Sequence, residues 1–443
     1  MSHPQDLSLR EQADAVRSGD IDPGELLRAT LERIEERNGD LNAIVATFPE
    51  ESERMLAEAP PGPLHGVPVA IKDEFSIPWR APRNGSARDA LPASESDVFK
   101  RLRDSGAVVV GVSHMHFWGA GTTGHISAYG PVGNPWDASR CGGGSSGGSA
   151  SAVGSRMVAA AVGADGGGSV RLPAAYCGIT GLKCTNNAIP RAGHVHRHSA
   201  LGAIGPMCRD AADARLFGSA LLARDLAAGD GAGLRVGVVR DPFWGDLDPA
   251  VDEACRDALE ASGWKVDEVS LDGAAHALIA TVVIITVEAL PELDAEDVAG
   301  ADPLTTALVK YQRMVPAEAF HRSTRIRSQV RRSLASTFED YDLLAWPTVP
   351  VGAPLIEEPV VERPSGPSSP EPANIGQGGL ANLTGIPGIS VPVGRDGNGM
   401  PIGLMLHAAW DREEVLLDAA EHIERATDRE FVDALPPLAA ATG

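Results

Sequence analysis

The chain has 443 residues, 43% of them hydrophobic and 22% charged. These are ordinary proportions for a globular protein whose core is large enough to need no disulfide or structural metal, and they exclude collagen-like, coiled-coil and wholly disordered architectures. The net charge of −22 repels phosphate backbones and anionic lipid surfaces, so neither nucleic acid nor a membrane is expected as a partner.

The first strong element is helical. Asp22-Pro23-Gly24-Glu25 combines a capping residue, a proline suited to the first helical position and a glutamate that closes a capping box. An apolar face runs from Leu26 to Ile34, and Gly39 is the expected stop. Strands are then expected at Val67–Ile71, Ala107–Val112, Leu234–Val239, Trp264–Val269, Asp342–Trp346, Gly388–Val391 and Ile402–Leu406. Helices are expected at Asp97–Asp104, from Asp248-Pro249 to near Gly263, and at Leu416–Ala426. Strands alternating with helices predict an α/β fold with a mixed or largely parallel sheet.

Residues 357–372, rich in Pro, Ser and Glu, read as a mobile surface loop. The basic cluster Arg322, Arg325, Arg327, Arg331 and Arg332 reads as a solvated helix face. No long linker interrupts the chain. Residues 1–443 are therefore read as one domain, with 277–338 a mostly helical insertion or cap and 430–443 a flexible tail. The first twenty residues lack the apolar core of a signal peptide, and the five cysteines show no pairing pattern. A reduced, cytoplasmic protein is expected.

The chemistry concentrates in Arg140–Pro173, where two Gly/Ser clusters bracket a run of Ala, Val and Gly. A flexible linker fits poorly, because the surrounding residues are apolar. A phosphate-cradling loop would need Gly-Lys-Ser/Thr, which neither cluster has, and a G-x-G-x-x-G trace within Gly142–Gly147 is weak in a glycine-rich run. The third reading is a serine nucleophile: Gly166-Gly167-Gly168-Ser169 sets a hydroxyl directly after backbone N–H groups that can converge on an oxyanion. A nucleophile needs a base. Lys72 closes an apolar strand, where desolvation makes a neutral amine accessible. Taken alone, that segment reads more plainly as a surface lysine paired with Asp73.

Three segments together are similar to the core motifs of the amidase signature family. They are Gly66-Val-Pro-Val-Ala-Ile-Lys72-Asp73, Gly143-Gly-Ser-Ser-Gly-Gly-Ser-Ala150 and Asp165-Gly-Gly-Gly-Ser169-Val-Arg171. Tyr176–Lys183, Asn382–Pro387 and Pro401–Leu404 extend the resemblance. It implies the amidase signature fold, a central mixed sheet flanked by helices on both faces. It also implies a triad in which Ser169 is the nucleophile, Ser145 a bridging serine after a cis peptide, and Lys72 the base. The oxyanion would rest on N–H groups of Gly166, Gly167, Gly168 and Ser169. Ser146 would orient the network, and Asp165 and Arg171 would hold the loop.

Two departures stand out. Gly166 replaces a threonine common in relatives, and His114 and Phe117 replace asparagine and glutamate. Phe117, Trp118 and Tyr129, with Trp136, are therefore expected to line a broad aromatic pocket. His194, His196 and His198 alternate as metal ligands do on a strand. The plainer reading, a polar loop beside the site, is preferred, because the chemistry requires no metal or other cofactor.

The expected function is hydrolysis of the C–N bond of a small amide, anilide or carbamate (urethane) through an acyl-enzyme on Ser169, with a homodimer as the family-level expectation. The first alternative is the glutamine-hydrolysing A subunit of a tRNA-dependent amidotransferase. The second is a non-catalytic binding protein on the same fold.

Overall fold

The computed structural model describes residues 3–196, 199–289, 306–307, 309–310 and 312–427, and positions 432, 434 and 436. His198, residues 290–305 of the expected cap and most of the expected tail lie outside them.

The helices are α1 (Leu9–Ser18), α2 (Pro23–Leu41), α3 (Pro49–Ala57), α4 (Asp97–Asp104), α5 (Gly147–Gly154), α6 (Arg171–Cys177), α7 (Ala211–Leu222), α8 (Pro249–Ala261), α9 (Ala277–Ala289), α10 (Ala317–Asp340), α11 (Pro370–Thr384) and α12 (Glu413–Ala426). Local chemistry sets their starts. Ser8 and Glu11 cap α1 reciprocally, and Asp22 accepts from the Glu25 N–H at 3.0 Å to open α2. Gly39 does not end α2. The helix runs on to Leu41 and turns at Asn42, whose φ of 49° is left-handed.

The strands are β1 (Ile44–Thr47), β2 (Pro68–Lys72), β3 (Val108–Ser113), β4 (Ala160–Asp165), β5 (Thr180–Lys183), β6 (Ala203–Cys208), β7 (Arg235–Val239), β8 (Lys265–Val269), β9 (Leu343–Pro347), β10 (Gly388–Arg395) and β11 (Pro401–His407). They form one 11-stranded sheet in the order β1-β3-β2-β4-β6-β5-β10-β11-β9-β7-β8. β2 runs parallel to β3 and β4, and β7 parallel to β8 and β9. The remaining pairings are antiparallel, so the sheet is mixed.

Both faces of the sheet are covered. Successive residues of β2 and β3 go to opposite sides: Val69, Ile71, Val109 and Val112 join one apolar cluster with α4, α7 and α12. Ala70, Val108 and Val110 join another with α2 and α5. Burial on two faces explains why these strands read as unbroken apolar runs rather than alternating ones.

The expected loop at 357–372 is partly structured. Pro370 opens α11, Val361 bridges Ser368, and Arg363 pairs with Asp246 at 2.8 Å. Of the basic cluster, which lies on α10, Arg331 stacks over Trp410 at 4.6 Å.

β2 and β4 end at Lys72 and Asp165. Because they are parallel, with β3 beside β2, the loops leaving all three emerge on one edge of the sheet. Ligand crevices form at such carboxyl ends.

Near the other end of the sheet, Trp346 on β9 is fully buried. It stacks on Phe243 at 4.4 Å and on His407 at 4.1 Å. Trp346→Ala is expected to destabilise the protein by about 3–5 kcal/mol. A urea unfolding midpoint unchanged from wild type would refute that assignment.

Candidate active site

Lys72 is 1% exposed. Its Nζ donates to Ser145 Oγ at 2.9 Å and to the Ala164 carbonyl at 3.4 Å. The plainer reading of Lys72 as a surface group paired with Asp73 is overturned. Asp73 turns away to the Arg80 guanidinium and to the N–H groups of Arg83 and Gly85. The carboxylate facing Lys72 belongs to Glu74, with Oε1 2.9 Å from Nζ in an ion pair that lacks hydrogen-bond alignment. Burial works against the Glu74 charge, yet Lys72 and then His194 hold this carboxyl below the usual carboxylate range.

The peptide between Gly144 and Ser145 is cis. The two Gly/Ser loops are joined by the Ser146 N–H, which donates to the Ser169 carbonyl at 3.2 Å. The Ser146 hydroxyl donates to the Ala164 carbonyl, also at 3.2 Å. Ser169, Ser145 and Lys72 face one cavity of about 140 Å³, the size that admits a benzene-like group.

The loop before Ser169 is tied from beneath. Asp165 Oδ1 accepts from the Gly168 N–H at 2.7 Å, and Oδ2 accepts from the Val170 N–H at 3.1 Å. Arg171 donates to both carboxylate oxygens at 3.0 Å. Burial pushes the Asp165 carboxyl up, but Arg171 outweighs it and holds the group below the usual carboxylate range. Arg171 also donates to the Gly378 carbonyl at 3.0 Å and to Asn382 Oδ1 at 2.8 Å. Asn382 Nδ2 donates to the Asp165 carbonyl at 2.7 Å.

This geometry corrects the expected oxyanion set. The Gly168 N–H is committed to Asp165 and is not available to a substrate. The N–H groups of Gly166, Gly167 and Ser169 have no hydrogen-bond partner among the described residues. Gly168 instead supplies a φ of 123° that turns the chain. A Cβ at Gly166 would meet nothing within 4 Å, so its glycine leaves free volume close to Ser169.

The expected aromatic pocket is also corrected. Only Trp118 of the four named aromatics lines the cavity. Phe117 is buried away from it. Tyr129 packs edge-on to His114 at 5.6 Å and accepts from Arg80. Trp136 donates to the Cys177 carbonyl and lies under Arg395. The apolar wall comes from Val282 and Ile285 on α9 and Ile375 on α11.

His114 makes a polar contact of its own: Nδ1 faces the Asn42 carbonyl at 2.8 Å. Burial lowers its pKa to about 4, an effect that the Asn42 carbonyl only partly offsets. His194 and His196 line the cavity. His194 Nε2 is 3.4 Å from Glu74 Oε2. Among the described residues, no three His, Cys, Asp or Glu side chains converge as a metal would require.

Comparison with known proteins places this architecture. The amidase family model matches residues 25–417. The chain belongs to the amidase signature family. It is 33% identical over 480 residues to the A subunit of the glutamyl-tRNA(Gln) amidotransferase from Chromohalobacter salexigens, covering 96% of this chain and 97% of that one. A crystal structure described as an amidase superposes with a TM-score of 0.89 at 28% identity, covering 95% and 100% of the two chains. A 6-aminohexanoate cyclic dimer hydrolase solved with its substrate gives 0.83 at 27% identity, covering 98% and 99%. Members of this family act on C–N amide bonds, and the chain is an enzyme of that class.

Glu74, Gly378 and Asn382 carry site geometry that sequence reasoning did not assign. Glu74 lies in the turn that follows β2, where its N–H donates to the Lys72 carbonyl at 2.8 Å, so strand alternation gave no signal that it faces Lys72.

Two outcomes are expected here. A Cβ at Gly378 would sit 2.5 Å from the Gly167 carbonyl oxygen and 2.7 Å from Gly168 Cα. Gly378→Ala should therefore displace the Gly166–Ser169 loop and lower kcat by about 10²-fold or more. Unchanged kcat in a folded variant would refute this. His114, neutral in the fold down to about pH 4, takes up its proton near pH 6.5 once unfolded. Its contribution to stability is thus lost as pH falls from 6.5 towards 4, reaching about 2 kcal/mol at pH 5. Urea unfolding at pH 7 and pH 5 should show a smaller loss in His114→Gln than in wild type.

Proposed function

We propose that this enzyme hydrolyses a small, uncharged amide through an acyl-enzyme on Ser169. The observation carrying this reading is the cavity lining. Its charged members are Lys72, Glu74 and Asp165, and each already has a partner, in Glu74, Lys72 and Arg171 respectively. Among the described residues no free cation or carboxylate awaits the ends of an amino acid, while Trp118, Val282, Ile285 and Ile375 offer apolar surface.

In the mechanism, the neutral Lys72 amine takes the Ser145 proton as Ser145 takes that of Ser169. Ser169 Oγ bonds to the carbonyl carbon. The carbonyl oxygen becomes an oxyanion facing the N–H groups of Gly166, Gly167 and Ser169. As the C–N bond breaks, the proton returns through Ser145 to the departing nitrogen. Water, deprotonated through the same pair, then attacks the ester and releases the acid. Anilides and carbamates present the same carbonyl bearing a nitrogen leaving group and belong in the same substrate panel.

The second reading is the A subunit of a tRNA-dependent amidotransferase. The observation favouring it is the 33% identity to such a glutamyl-tRNA(Gln) amidotransferase chain along nearly the whole length of this one.

Intact-mass labelling with a fluorophosphonate should give one adduct in wild type and none in Ser169→Ala. Lys72→Ala should slow labelling by about 10²–10⁴-fold. For the purified chain alone, kcat/KM should be about 10²-fold higher or more for a neutral aryl or alkyl amide than for glutamine. Preference for glutamine would establish the second reading instead.

A further inference from the structure

Glu74 is a buried charge that the relay above does not use. It is 2% exposed, and its position is fixed from two sides. Its own carbonyl accepts from the Val195 N–H at 3.0 Å, and the neighbouring Phe75 ring stacks on His194 at 4.8 Å. Oε1 lies 2.9 Å from Lys72 Nζ, and Oε2 lies 3.4 Å from His194 Nε2.

The charged and titratable groups around the pair are few. His194 and His196 approach from the loop opposite. Burial lowers the His196 pKa to about 4, so this ring is neutral near pH 7. Asp165 on β4 is spent on Arg171, and Asp73 on Arg80. Glu74 is therefore the carboxylate that acts directly on Lys72.

Two consequences follow. An ion pair at this distance holds Nζ beside Ser145 Oγ. It also sets a negative charge against the amine that must accept the Ser145 proton.

We propose that Glu74 is a positioning residue of the Ser169 relay, holding Lys72 against Ser145 and setting the pH above which the relay runs. The step it controls is loss of one N–H proton from Lys72 to solvent through the cavity; no other bond changes. The proposal rests on Ser169 as the nucleophile.

The test is the rate of fluorophosphonate adduct formation on Ser169 from pH 5 to pH 10, in wild type, Glu74→Gln and Glu74→Asp. This readout needs no knowledge of the natural substrate. The acidic limb should move to lower pH by about 1 unit or more in Glu74→Gln. It should move less, in the same direction, in Glu74→Asp, whose shorter carboxylate retreats from Nζ. A merely structural role would lower the rate at every pH and leave the limb in place, and that result would overturn the proposal. If Glu74→Gln does not fold, an unmoved limb in Glu74→Asp overturns it alone. No adduct on wild-type Ser169 at any pH would overturn the nucleophile reading, and this proposal with it.

Discussion

The buried pair of Asp165 and Arg171 is the constraint on which the site depends. Two opposite charges, both fully removed from water, are tolerated only when every remaining donor and acceptor finds a partner. Here those partners are backbone groups and the Asn382 side chain. Asp165 takes the N–H groups of Gly168 and Val170, and Arg171 takes Asn382 and the Gly378 carbonyl. The pair thus ties the end of β4, the start of α6 and the middle of α11 into one object. The loop bearing Ser169 lies between them, with its direction set before any substrate arrives.

Lys72 illustrates a second kind of constraint. It lies at the last residue of β2, so its backbone is placed by the sheet, and its long side chain is steered by two hydrogen-bond acceptors and by the Glu74 carboxylate. The parallel run of β2 and β4 brings two residues 93 positions apart, Lys72 and Asp165, to the same edge. The geometry of the site is a consequence of topology at this point.

Much of this was legible in the residues. Strands of continuous Val, Ile and Ala declared themselves by length and by their flanking turns, and β2, β3, β7, β8, β9 and β11 begin or end within a residue of expectation. β10 runs four residues further. β4 and β6 were harder to see: Ala-Ala-Val-Gly-Ala-Asp and Ala-Ile-Gly-Pro-Met-Cys carry few branched residues, and close packing alone favours strands of such small side chains. The end of α2 was misplaced because Gly39 looks like a stop, yet Asn42 makes the left-handed turn. In the site, motif order and spacing singled out Lys72, Ser145 and Ser169, and the structure brings all three to one cavity. The aromatic pocket failed because neighbours in a loop need not share a direction: Trp118 faces the cavity while Phe117, one residue earlier, does not. The commitment of the Gly168 N–H to Asp165 was invisible, since no pattern of glycines says which amide turns inward.

The empty space in front of Gly166 has a consequence for how this enzyme can change. Two positions near Ser169 are locked, because a new methyl group at Gly168 or Gly378 collides with its neighbours. Gly166 is open, with nothing within 4 Å of where a side chain would begin, and at Gly167 a Cβ meets only Ile285, at an ordinary 3.6 Å. A single codon change there can reshape the chamber without disturbing the groups that perform the chemistry. The shape of the chamber is thereby open to variation at a point where the Asp165–Arg171 tie is left undisturbed.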